Sequence, residues 1–253
     1  MFKLANLLNY LGIRIQNYAY ILDNPTYLKV RNGGCGTLYR LLNKDWFHRQ
    51  QIQTVLDVGT NEGQFIKTAL ALLPNTNIYG FEPNPEAVKK LENTHWDSSR
   101  VSILPIACGS RKTQLQLNIS KFSPASSLLN MQKRHNDEFP GTETDKEIIV
   151  EVDRIDNIVP SLNLVHDPLL LKIDVQGFEL EVLAGAIGIF NQTPVIVCEI
   201  NLAELYQNQC TLESLVTFMR QHQYRIVDIG NPIRSYHTQE VLYLDLAFLK
   251  EDF

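Results

Sequence analysis

The stretch Leu169-Leu170-Leu171-Lys172-Ile173-Asp174-Val175 constrains the fold more than any other part of the chain. It is apolar except at Lys172 and Asp174, and it is too short for a buried helix. Such a run is a strand covered on both faces, which belongs to a parallel sheet flanked by helices. Residues 194–200 repeat the pattern. Upstream, residues 54–58, 77–81 and 101–106 read as further strands, alternating with helix-period segments. Residues 64–73 form one such helix, stopped by Pro74. Asn84-Pro85-Glu86 opens the next, with an N-cap, a proline at the first helical position and an acid in the first turn. Residues 178–184 form a helix with Gly185 near its end. Thr211 caps another, which carries Leu212, Leu215, Val216 and Met219 on one face. Residues 224–229 and 241–249 close the sheet. The expected class is α/β, with the sheet domain at residues 51–253.

Two segments break the rhythm. Residues 113–119 alternate strictly, Leu115, Leu117 and Ile119 against Gln114, Gln116 and Asn118. Residues 148–153 behave similarly, so the two are expected to pair as half-exposed strands. Residues 133–147 are polar, contain Pro140-Gly141 and read as a mobile loop over one end of the sheet.

Residues 1–50 read as a helical extension broken by Pro25 and by Asn32-Gly33-Gly34. Leu4, Leu7, Leu8, Leu11 and Ile15 recur at helical spacing, which suits a helix packed on the domain or on a second copy of the chain in a homodimer. Lying on a membrane surface is the other reading, but the polar face is rich in asparagine rather than basic. No uninterrupted apolar segment follows a basic start, so no signal peptide is expected. No apolar run is long enough to span a bilayer. A net charge of −5 without a basic run disfavours nucleic acid as a partner. Cys35, Cys108, Cys198 and Cys210 form no CxxC pair and have no histidine at zinc-ligand spacing. Reduced, buried thiols in a cytoplasmic protein, with no metal site, are expected.

The chemistry collects at the carboxyl ends of the strands, where open α/β sheets bind ligands. The first strand runs into Asp57-Val58-Gly59-Thr60-Asn61-Glu62-Gly63, and the second into Phe81-Glu82-Pro83. A strand-terminal acid at this interval meets ribose hydroxyls, because its two oxygens accept from both. The glycines do not spell the dinucleotide fingerprint G-x-G-x-x-G, which makes close approach of a pyrophosphate harder. A nucleoside ligand without phosphates fits better, and S-adenosylmethionine is the foremost such cofactor. Lys172 and Asp174 leave the same face of their strand, and Glu199 ends the next one. Charges in so apolar a strand are costly unless they are paired or used.

Asp57-Val58-Gly59-Thr60-Asn61-Glu62-Gly63, Phe81-Glu82-Pro83-Asn84-Pro85, Ser126-Ser127-Leu128, Lys172-Ile173-Asp174-Val175-Gln176-Gly177-Phe178-Glu179 and Val197-Cys198-Glu199-Ile200 together resemble the FkbM family of S-adenosylmethionine-dependent methyltransferases. The resemblance runs from about residue 53 to 230. It implies a class I Rossmann-like fold, with a seven-stranded sheet whose last strand is antiparallel. It implies O-methylation of a hydroxyl on a sugar or secondary metabolite. By motif position, Asp57, Gly59, Asn61 and Gly63 hold the methionine part of the cofactor and Glu82 its ribose, while Ala107 and Cys108 lie by the adenine. Thr60 and Cys108 depart from the residues more usual there.

Transfer to an alcohol requires removal of a proton whose pKa lies near that of water. Asp174 is the first candidate base and Glu199 the second, with Lys172 orienting Asp174 or the acceptor. No histidine falls on a motif; all six read as surface or loop residues, with His135 and His237 as outside candidates. Residues 120–147 and the N-terminal helices are expected to shape the pocket for a small-molecule or glycan acceptor. The rival classes are a nicotinamide-dependent Rossmann oxidoreductase, whose glycine pattern is missing, and a non-catalytic nucleoside-binding protein, which has no use for the strand-end acids.

Overall fold

The computed structural model describes residues 18–31, 33–164 and 167–251. Their strands are β1 (Thr54–Val58), β2 (Asn77–Phe81), β3 (Val101–Leu104), β4 (Ala107–Cys108), β5 (Thr113–Ser120), β6 (Thr144–Asp153), β7 (Leu169–Ile173), β8 (Val195–Asn201), β9 (Tyr224–Ile229), β10 (Ile233–Arg234) and β11 (Val241–Lys250). The main sheet is parallel in the order β8-β7-β1-β2-β3. β11 runs antiparallel beside β8, and its other edge pairs with β9 and the two-residue β10. This is the expected sheet with one short extra strand. The last strand is antiparallel as expected, and it lies between β8 and β9.

Every residue of β1 and β7 is buried, as a doubly covered strand requires. One face of the sheet packs against the helices Glu179–Ala184 and Leu212–Gln221. The other packs against Gln64–Leu72 and the N-terminal helices. Local chemistry starts these helices where the sequence says. Asn84 Oδ1 accepts from the Glu86 amide at 3.0 Å ahead of Pro85–Glu92. Thr211 and Ser214 satisfy each other's backbone amides at the start of Leu212–Gln221.

The helices Tyr27–Val30, Gly36–Leu42 and Asp45–His48 are continuous with the sheet's core. Val30, Leu38, Leu42 and Phe47 share one apolar cluster with Val55 of β1 and Phe65 and Ile66 of the following helix. Leu4, Leu7, Leu8, Leu11 and Ile15 lie outside the described residues.

β5 and β6 pair antiparallel as expected, and β4 joins them in a second, three-stranded sheet. Ala107 and Cys108 therefore belong to this small sheet, not to the end of β3. Residues 133–147 are not the expected loop. They form a helix, Lys133–Glu138, and the first part of a longer β6. The reason is a local core: Phe139, Leu129 and Met131 pack on Ala203, Leu205, Tyr206 and Leu242. His135, read as a surface or loop residue, is 3% exposed within that helix.

Candidate active site

β1 lies between β2 and β7, so the strand order reverses around it and a crevice opens at the strands' carboxyl ends. The loop after β1 is pressed against the end of β7. The Asp174 amide donates to the Val58 carbonyl at 3.0 Å. Gly59 takes a φ of 79°, and a Cβ there would run into the Asp174 carbonyl. Only glycine allows that crossing. Above it lies a cavity of about 260 Å³.

The cavity is lined by apolar side chains, Phe81, Ile106, Ala107, Cys108 and Leu117 among them, and by the polar Gln64, Asn61, Glu82, Lys172 and Asp174. Cys35 and Leu38 from the N-terminal segment line it too, as do Ser123, Pro124 and Ser126 to Leu128. Of the N-terminal helices and residues 120–147, expected to shape an acceptor pocket, Leu38 and residues 123, 124 and 126–128 line this cavity, and 129–147 do not.

Glu82 is 6% exposed, and each of its oxygens is already fixed by a backbone donor. Oε2 accepts from the Asn61 amide and Oε1 from the Asn84 amide, both at 2.8 Å. Carboxylate oxygens each have a second acceptor position, so the group stays open to two hydroxyl donors. Burial pushes its carboxyl up to about 7, against the pull of the two amides. Asn61 adopts a left-handed φ of 47° to place its amide, and its Oδ1 accepts from Ser123 Oγ at 2.6 Å.

Asp57 is fully buried and sits outside the cavity wall. Its Oδ1 lies 3.2 Å from Lys172 Nζ, which also lies 3.5 Å from Asp174 Oδ2. Burial raises the Asp57 carboxyl, with Lys172 opposing. Burial would lower the Lys172 ammonium, but Asp57 and Asp174 outweigh it and hold the lysine charged. Removing one partner of such a pair strands a charge at a cost of about 3–5 kcal/mol. Lys172 thus spans floor and cavity, while the carboxylate expected to hold the cofactor's methionine part braces the lysine. Gly63 is also off the wall. Its φ of 83° starts the helix Gln64–Leu72, and it packs against Trp96.

Glu199 does not line the cavity either; it sits behind Gln176. Gln176 Nε2 donates to Asp174 Oδ1 at 2.8 Å and to Glu199 Oε1 at 2.7 Å. The two acids are therefore brought together, with an amide between them. Burial raises the Glu199 carboxyl well above its ordinary range, and Asp174 and Asp245 add to this. Asp245 faces Glu199 across the β8–β11 pair, and its carboxyl is pushed up to about 7, chiefly by burial.

Gln176 belongs to the strongest motif, yet no pattern in the chain marks a role for its side chain. Cys35 and Leu38 lie in the N-terminal segment, where no motif marks them. Cys35 is half-buried on the cavity wall, unlike the other three thiols, which are buried as expected; all four are free. Of the histidines, His48, His95 and His237 are exposed, while His222 packs between Phe190 and Phe218. His135 sits behind the cavity against Tyr206, and His166 lies outside the described residues. Among the described residues, no three His, Cys, Asp or Glu side chains are grouped to hold a metal ion. No described helix is long and apolar enough to cross a membrane.

The family described as "Methyltransferase FkbM domain" matches residues 57–226. The chain is 27% identical over 171 residues to "2-O-methyltransferase NoeI" of Sinorhizobium fredii, covering 65% of this chain and 70% of that protein. It is 30% identical over 146 residues to "Hexuronic acid methyltransferase AglP" of Haloferax volcanii, covering 57% of this chain and 54% of that protein, so it spans about half of that relative's length. Among solved structures, the precorrin-6y C5,15-methyltransferase of Geobacter metallireducens aligns at a TM-score of 0.39 and 14% identity, covering 84% of this chain and 92% of that one.

Proposed function

The chain belongs to the FkbM methyltransferase family, and on that premise we propose that it moves a methyl group from S-adenosylmethionine to a hydroxyl of a sugar or sugar-like acceptor, with Asp174 as general base. The observation that carries this reading is Glu82. It is a buried carboxylate whose oxygens are each fixed by one backbone amide, and it lines a cavity that Phe81, Ile106, Ala107, Cys108 and Leu117 also line. That donor set fits a ribose diol beside an adenine on Phe81, Ile106, Ala107 and Cys108. A phosphate would meet a carboxylate there.

When bound, the cofactor supplies the methyl group on a sulfonium. The protein's part is to bind, to orient and to take a proton. Gly59 and Asn61 place the backbone along the cavity. Lys172 Nζ, 3.5 Å from Asp174 Oδ2, orients the carboxylate that accepts the proton the acceptor hydroxyl loses. Asp57 serves through Lys172, keeping the ammonium in place. Glu199 acts beside Asp174 rather than on the acceptor. The names of the two relatives, a 2-O-methyltransferase and a hexuronic acid methyltransferase, support a sugar hydroxyl as acceptor. Free thiols suit a reducing, cytoplasmic setting. A homodimer through the N-terminal helices is part of the same proposal.

The test is a screen of methyl glycosides and uronic acids with S-adenosylmethionine, read by mass spectrometry for the gain of one methyl group. Calorimetry should show binding of S-adenosylhomocysteine and none of NAD. Binding of NAD without the homocysteine nucleoside would overturn the reading.

A further inference from the structure

We propose that Gln176 is a positioning residue whose side-chain amide, fixed by Tyr206, clamps the carboxylates of Asp174 and Glu199 together and aims Asp174 into the cavity. The inference rests on the reading of Asp174 as the base. Both amide hydrogens are spoken for, one on each carboxylate. Its oxygen accepts from Tyr206 Oη at 3.1 Å. A flipped amide would set its oxygen against the Asp174 and Glu199 oxygens and leave both without their donor.

The surroundings hold this arrangement from both sides. Tyr206 is 1% exposed; its one hydroxyl hydrogen is shared between Gln176 Oε1 and the Ala125 carbonyl at 3.0 Å, and His135 Nε2 lies 3.2 Å from the same oxygen. The Gln176 carbonyl accepts from the buried Ser127 Oγ at 2.8 Å. Gln176 itself sits at a left-handed φ of 55°, a conformation that glycine or asparagine adopts more readily. The local backbone does not call for glutamine. What glutamine supplies is an amide long enough to reach both carboxyl groups at once.

The variant Gln176→Asn keeps an amide and suits the backbone but is one methylene too short to bridge. It is expected to melt at or above the parent temperature. In protein labelled with ¹³C at glutamate carboxyls, with Glu199→Gln giving the assignment, the Glu199 signal should titrate at higher pH than in the parent. The acid dissociation constant should fall about tenfold, because a donor to the charged form is lost. Asp174, Asp245, Glu179, Lys172, Tyr206 and Tyr243 also face Glu199, and the substitution leaves them in place. Tyr206→Phe, which is off the cavity wall, should shift the same signal in the same direction by less and leave S-adenosylhomocysteine affinity within about twofold. Turnover on a methyl glycoside that the parent methylates should fall at least tenfold in Gln176→Asn. An unmoved Glu199 titration in both variants overturns the clamp. Parent-level turnover in Asp174→Asn would instead sink the base assignment, and the carboxyl titration would still decide the clamp by itself.

Discussion

The proposed ribose role makes Glu82 the group that sets the pH response of cofactor binding. Its carboxyl has an ordinary value of 4.5 and is pushed up to about 7 by burial. The folded chain holds this proton more tightly than the unfolded chain, so the group costs stability as pH rises from 4.5 through about 7. A ribose diol donates to the ionised form, so binding expels the proton. Affinity for S-adenosylhomocysteine should therefore fall by up to about tenfold from pH 7 to pH 6 and level off above pH 8. Calorimetry in two buffers of different ionisation enthalpy would show the released proton, and a flat profile would count against the ribose role. Glu82→Ala should weaken binding by about 1.5–3 kcal/mol, the range for charge-assisted hydrogen bonds. Asp174→Asn makes the opposite split: cofactor affinity nearly intact, with turnover down about 10²–10⁴-fold. Asp174 could be picked out from the sequence because strand parity pairs it with Lys172. Asp57 could not be sorted in the same way. Its motif position pointed to the cofactor, but a strand residue faces floor or cavity according to a neighbour's register, and Asp57 pairs across to Lys172.

The contact between the loop after β1 and the end of β7 carries the site, because it sets Gly59, Asn61 and Asp174 side by side. Gly59→Ala adds a methyl that meets a carbonyl at a left-handed φ, and both the clash and the backbone conformation oppose it. It should cost about 3 kcal/mol or more in urea-unfolding experiments and abolish cofactor binding. Leu42→Ala, in the fully buried face of the helix Gly36–Leu42, should cost about 2–5 kcal/mol without touching the cavity. Elements marked by local chemistry could be placed from the sequence: the Asn84 and Thr211 caps, the alternating β5 and the apolar β7 and β8. The helix Lys133–Glu138 could not. Its sequence is polar throughout, and it is held by Phe139 and His135 packing against Tyr206, a residue 71 positions from His135.

On the scale of the whole molecule, the N-terminal helices are part of the catalytic body. Val30, Leu38, Leu42 and Phe47 are buried in the cluster that covers one face of the sheet, and Leu38 also reaches the cavity. Deletion of residues 1–50 should therefore leave an aggregating, non-binding chain, as read by light scattering and calorimetry. A deletion product that stays monodisperse and binds S-adenosylhomocysteine would show that the sheet needs no such cover. The sequence by itself determined the parallel sheet, the order of its strands along the chain and the acids at their carboxyl ends. Those follow from short-range rules: apolar runs must be covered, caps must satisfy amides, and charges in apolar strands must be paired or used. Tertiary structure decided which acids line the cavity, that Glu199 stands behind Gln176, that Cys35 and Leu38 join the lining, and that β11 slots between β8 and β9. Each of these depends on residues distant in the chain meeting in one register, and the periodicity of a single segment holds no information about its neighbour's register.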